Sequence, residues 1–182
     1  MTKAPTPARP RKAARKSIEI EVVVRSARWR KRPTAQTLVK TAVLAAAKAA
    51  STRPAELAIV LSDDSTIWAL NRDWRGKDAP TNVLSFPAAA PKKGRKDARS
   101  KPPPSSPYIG DIVIAYETVA REAAAEGKPF YPHLAHLAVH GFLHLLGYDH
   151  ENNRDAEAME RLERKILKRL AIPDPYAVRD EA

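Results

Sequence analysis

The chain has 182 residues, enough for one domain with a core of its own, and no cysteine, so disulfides are excluded and a bound metal must be held by histidine or carboxylate. Its net charge of +11 would suit a polyanionic partner, yet residues 1–16 carry +6 and residues 88–107 carry +5, which together are the whole excess. No apolar run reaches the length of a membrane span and the N-terminus lacks a secretory apolar core, so a cytoplasmic protein with no membrane and no disulfide partner is expected.

Residues 1–16 mix proline, alanine and basic residues, which predicts a disordered basic arm; Pro5, Pro7 and Pro10 oppose the amphipathic helix of a transit peptide. Residues 18–24 alternate apolar and acidic side chains and predict a strand. Residues 25–32 set five basic residues around Trp29 and read as a basic loop, either meeting phosphate or simply solvated. Thr34 is a candidate N-cap for an alanine-rich helix to about Ala50, and residues 57–61 form a second strand. Asp63 or Asp64 can cap a short helix through Ile67, Leu70 and Asn71. A turn-rich loop at 75–81 and a short strand at 83–86 follow.

Residues 88–107 are rich in proline and lysine without apolar periodicity, an insertion-like flexible loop. A strand at 109–115, a helix at 117–126 ending at Gly127, and a histidine-bearing helix with Pro132 near its start come next. Asn152 or Asn153 opens a last helix to about Leu170, with Met159, Leu162, Ile166, Leu167 and Leu170 as its apolar stripe. Pro173 stops it, leaving 173–182 as a tail. The pattern predicts one α/β (α+β) domain over residues 17–172, a small mixed sheet packed by helices.

The chemistry concentrates in residues 133–150, HLAHLAVHGFLHLLGYDH, which hold all five histidines. His140 and His144 are four apart, so a helix presents both imidazoles on one face. Gly147 is where a left-handed turn costs least, and such a turn can swing His150 back towards them. Three neutral nitrogen donors suit one zinc ion with water in the fourth position, whose pKa zinc lowers to ~7. The competing reading, a hydrogen-bonded core cluster, would leave several buried polar groups to satisfy. Metalloproteases with this ligand spacing carry a glutamate directly after the first histidine; here that position is Gly141, which makes a protease the lesser alternative.

Three stretches, WRGKDAPTNVLSFP, IGDIVIA and HGFLHLLGYDH, resemble in order the signature segments of the YbeY family of bacterial endoribonucleases, over residue 17 to about 170. The resemblance implies a zinc ion on His140, His144 and His150, and cleavage of single-stranded RNA. It further implies roles in maturation of small-subunit ribosomal RNA and in ribosome quality control, with the small subunit and its associated proteins as partners. It implies a role in activity for Arg75 and places Ser85 on the strand bordering the same cleft, so both are candidates for substrate binding. The chain departs from the commonest family pattern at Trp74, where tyrosine or phenylalanine is frequent, and at Asn82, where aspartate is frequent.

His136 reads as a partly buried helix residue, or as one that touches substrate or stands beside a ligand, His133 as a surface residue at the helix end, and Asp149 as a turn residue or an orienter of a ligand ring. The general base is unassigned between water held in the site and the substrate 2′-hydroxyl. A non-catalytic RNA- or ribosome-binding factor with structural zinc is the remaining alternative.

Overall fold

Apolar runs with period two build the centre of the molecule. Strands Glu19–Val24 (β1), Glu56–Ser62 (β2), Val83–Pro87 (β3) and Tyr108–Ala115 (β4) form a sheet of order β1-β2-β4-β3. The computed structural model describes residues 17–88, 107–150 and 152–177; the expected arm at 1–16, the interior of the expected insertion and residues 178–182 of the expected tail lie outside them. β1 and β4 both run parallel to β2, while β3 returns antiparallel on β4, pairing Val83 with Ile114 and Pro87 with Gly110. The mixed sheet is therefore as expected, with β3 at one edge.

Alternation along β4 splits the core between the two faces. Ile112 and Ile114 pack on one side with Leu57, Ile59 and Leu61, beneath helices Ala35–Ala49 (α1), Phe130–Leu145 (α4) and Asn153–Arg169 (α5). Val113 and Ala115 pack on the other with Leu84 and Ile67, beneath helix Asp64–Arg75 (α2). Helix Tyr116–Ala125 (α3) continues directly from β4. Small residues on α1 (Ala42, Ala46) let α1 and α4 approach closely, and each fully buried aliphatic residue contributes about 1.5–3 kcal/mol.

Two local expectations change. α2 extends to Arg75, four residues past Asn71, because Gly76 adopts φ 65° and closes it with N–H bonds to the Arg72 and Asn71 carbonyls. Arg75 therefore sits on the last turn of a helix rather than at the start of a loop. Asp63 is the cap, accepting from the Thr66 amide at 3.0 Å. Residues Ala27–Lys31 form a 3₁₀ turn within the expected basic segment, its Arg28, Arg30 and Lys31 side chains exposed, because Trp29 is buried there and its Nε1–H donates to the Ser62 carbonyl at 2.7 Å. Tyr116 and Phe130 meet the indole edge-on at 5.2 and 6.1 Å, tying β2 to the starts of α3 and α4. Two of the nearby cations are engaged within the protein, Arg28 with Glu117 and Arg32 over the Phe130 ring at 4.2 Å. Among the described residues, no helix is long and apolar enough to cross a membrane.

Trp29→Phe keeps the ring but orphans the Ser62 carbonyl, and is expected to lower stability by about 1–3 kcal/mol in urea denaturation. Trp29→Ala is expected to cost about 3–5 kcal/mol.

Candidate metal centre

α4 is apolar nearly all round, with Leu134, Ala135, Ala138, Val139, Phe142 and Leu143 fully buried. His133, His136, His140 and His144 follow one another at spacings of three and four, so they form a single polar seam along an otherwise buried helix. The helix ends in a Schellman turn: Gly147, at φ 87°, donates to the His144 carbonyl at 2.9 Å, and Tyr148 donates to the Leu143 carbonyl at 3.1 Å. Tyr148 packs onto the core beside Leu143, and this anchors the reversal of the chain. His150, which is exposed, then returns to the other two rings, with centroids 5.1 Å from His144 and 5.7 Å from His140.

One nitrogen each of His140, His144 and His150 lies within 4.8 Å of the others, a grouping that can hold a metal ion. The hydrogen bonds behind the rings fix which nitrogen faces inward. His144 Nδ1 lies 3.0 Å from the Tyr148 carbonyl oxygen, which only accepts, so Nδ1 carries the hydrogen. His140 Nδ1 lies 2.9 Å from Oε1 of Glu163, whose ionised carboxylate likewise only accepts. In the neutral rings both Nε2 atoms are then bare lone pairs, and they stand 3.0 Å apart. Burial first, and then the charges of His140 and His150, hold His144 down at about 4, so His144 does not relieve that contact by taking up a proton at neutral pH. Two imidazole lone pairs facing each other are poor neighbours unless a cation lies between them, and the donor set fits a divalent ion.

Glu163 was not singled out by its sequence position, although the signal was there. It stands four residues after Met159 and three before Ile166, inside the apolar stripe of α5, and its side chain has no exposed surface. Besides His140, the Glu163 carboxylate receives His136 Nε2 at 3.2 Å and the hydroxyl of Tyr176, from the segment expected to be a tail. Burial alone would raise the carboxyl, but hydrogen bonds from His136 and His140, with that of Tyr176 behind them, outweigh it and bring it to about 2. His136 therefore braces the carboxylate that turns His140. His136, His140 and Glu163 form a second grouping able to hold a metal, sharing His140 with the first.

The other candidates fall into place around α4. Asp149 acts as a turn residue, accepting from the His150 amide at 2.8 Å, while the backbone of Tyr148 orients His144. His133 is not at the surface: it is buried, with Nε2 3.0 Å from Glu122, because the first turn of α4 lies against α3. Asn82 donates to the same carboxylate at 2.9 Å, a bond that an ionised aspartate could not make. Ser85 lies beneath α4 and is buried; its hydroxyl donates to the Gly141 carbonyl at 2.9 Å. Arg75 Nη2 donates to the Ser85 carbonyl at 3.1 Å, which sets its exposed side chain on edge strand β3 next to the histidine helix. Gly141 lets α4 lie close against the sheet: a Cβ there would sit 2.9 Å from Ile112 Cγ2 and 3.1 Å from Ser85 Oγ. A side chain at position 141 would start out against the sheet, meeting Ile112, Ser85 and Val83.

The family model for "Endoribonuclease YbeY" matches residues 21–171. A Rhodopseudomonas palustris (strain BisA53) protein named Endoribonuclease YbeY is 53% identical over 164 residues, covering 89% of this chain and 92% of the relative. A protein of the same name from Bradyrhizobium diazoefficiens is 52% identical over 161 residues, covering 87% and 85%. A Thermotoga maritima protein solved in solution superposes with a TM-score of 0.49 at 20% identity, covering 90% of this chain and 99% of that one.

Glu163→Gln keeps the shape but removes the charge that holds the hydrogen on His140 Nδ1. It is expected to weaken zinc binding roughly 10- to 100-fold in a chelator competition titration, with the fold retained by circular dichroism.

Proposed function

The chain belongs to the endoribonuclease YbeY family, and on that premise we propose that it is a single-strand-specific endoribonuclease that works with one zinc ion on His140, His144 and His150. The ribonuclease role in ribosomal RNA maturation follows from the family. Its finer form is processing of small-subunit RNA and ribosome quality control in the cytoplasm, beside the small subunit and its associated proteins. Residues 17–172 form the catalytic domain of this reading, with the arm at 1–16, the insertion at 88–107 and the tail at 173–182 as additions to it.

The observation that carries the metal is the pair of Nε2 lone pairs at 3.0 Å, each fixed inward by an acceptor behind its ring. A divalent ion held there supplies a Lewis acid for a phosphoryl oxygen and an acidified water. The protein's own groups do the rest. Glu163 and the Tyr148 carbonyl keep the imidazoles in one tautomer and one orientation, so no reorganisation is needed when substrate arrives. Arg75, at the β3 edge, presents a planar guanidinium to the non-bridging oxygens of the phosphate, where two parallel N–H bonds match the charge that develops during cleavage. Ser85 contributes to substrate binding from below: its carbonyl holds Arg75 and its hydroxyl holds the helix turn beside His140, which fixes the spacing between guanidinium and histidines.

His144→Ala is expected to abolish both zinc binding and cleavage of single-stranded RNA, and chelation should silence the wild type until zinc is restored. Arg75→Lys is expected to bind zinc normally while turnover falls roughly 10- to 100-fold, because a point charge replaces a two-pronged donor. Normal cleavage by the lysine variant would remove Arg75 from the mechanism.

A further inference from the structure

Trp74 belongs to the sheet-facing side of α2 but finds no core there. Ile67 and Asn71 are buried on that face, and Trp74 continues it one turn later. It is nevertheless 71% exposed, because α2 overhangs edge strand β3, where the Phe86 ring meets the indole edge-on at 6.1 Å. A single exposed apolar side chain is ordinary. The position of this one is not, since the next residue is Arg75, bonded to the Ser85 carbonyl of β3, and the Ser85 hydroxyl is bonded to Gly141 beside His140. Trp74 and the histidines thus flank Arg75 from opposite faces of one strand edge.

The charges around the ring are compatible with a polyanion. Arg75 and Lys77 stand on either side of Gly76, just after Trp74. Of the nearby acids, Asp73 is paired with Arg72 at 2.9 Å and Asp78 holds the Trp68 Nε1–H at 2.9 Å. Arg72 itself lies over the Trp68 ring at 4.9 Å.

We propose that Trp74 is a stacking platform for one base of the single-stranded RNA, next to the phosphate that Arg75 engages; this rests on the nuclease reading above. Single strands are gripped by cations along the backbone and by aromatic faces that accept any unstacked base. A base inside a duplex is already stacked on its neighbours and cannot lie on the indole, so the platform discriminates against double strands.

The test is a titration of full-length protein, in chelator so that nothing is cut, with a ten-nucleotide oligoadenylate and with its abasic counterpart. Wild-type tryptophan fluorescence should be quenched by oligoadenylate. Trp74→Phe should bind within about threefold of wild type yet lose most of the quench, and Trp74→Ala should bind about tenfold more weakly with an unchanged salt slope. The abasic oligomer should bind wild type and Trp74→Ala alike. With zinc restored, Trp74→Ala should raise KM about tenfold and leave kcat unchanged, a split that a merely structural residue would not give. Wild-type affinity and KM in Trp74→Ala, alongside a defective Arg75→Lys, would refute the platform and leave the nuclease reading intact. A wild type that neither binds nor cuts RNA would remove both.

Discussion

Glu163 is ionised and has no surface in water, so protein groups must answer its charge. An unpaired buried carboxylate would cost several kcal/mol. Here His136 and His140 from α4 and Tyr176 from the chain beyond α5 all direct donors at it. The bonds work in both directions. They make a charge tolerable in the core, and they leave His140 one orientation, Nδ1 towards the carboxylate and Nε2 towards His144. α5 is thereby locked to α4 at one rotation about its axis. A purely apolar α5 would pack as well or better, but it would leave His140 free to turn.

The opposite side of α4 is fixed by close approach. Gly141 lets the helix lie against Ile112, Val83 and Ser85, with the Ser85 hydroxyl taking up the Gly141 carbonyl. With the sheet below and Glu163 above, the histidine seam is held between two constraints that leave it little freedom to slide or rotate. The Schellman turn at Gly147 adds a third constraint by bringing His150 back at a fixed distance beyond the helix. The three imidazoles therefore converge through a packed sheet, a buried charge and a tight turn.

Much of this was legible because it is local. Spacings of three and four residues predicted the histidine face, a glycine predicted the turn that returns His150, and short apolar runs, alternating with acids in the first, predicted all four strands to within a residue. What the sequence reading missed involves partners far along the chain. Glu163 is the one carboxylate within the apolar stripe of α5, and a charge at a core position of an amphipathic helix is a signal, but its partners lie 23 and 27 residues away on α4. His133 lies at the start of its helix, a position that usually faces water, and only the packing of α3 against α4 buries it on Glu122. Trp29 was surrounded by arginines in sequence, and its burial depended on a carbonyl 33 residues away. The end of α2 moved by four residues because Gly76 was read as part of a loop when it was the helix cap.

The same geometry bears on the chemistry left open by the glycine after His140. The two carboxylates that touch histidines of α4 are poor proton acceptors. Glu163 is held at about 2 by its three donors. Burial would raise Glu122, but bonds from His133 and Asn82 keep it below the usual range. Both act as acceptors of fixed hydrogen bonds, which stiffen the helix and do not carry protons. Hydrolysis of a peptide needs a group that takes a proton from water and delivers it to an amine, and neither carboxylate can cycle in that way near neutral pH. Cleavage of RNA must also take a proton from its nucleophile, whether water or the substrate 2′-hydroxyl, but its leaving group is an alkoxide that a cation can stabilise, so no carboxylate has to deliver a proton to an amine. On the proposed reading, a site of imidazoles and one guanidinium, with its carboxylates committed to structure, suits the second reaction better than the first.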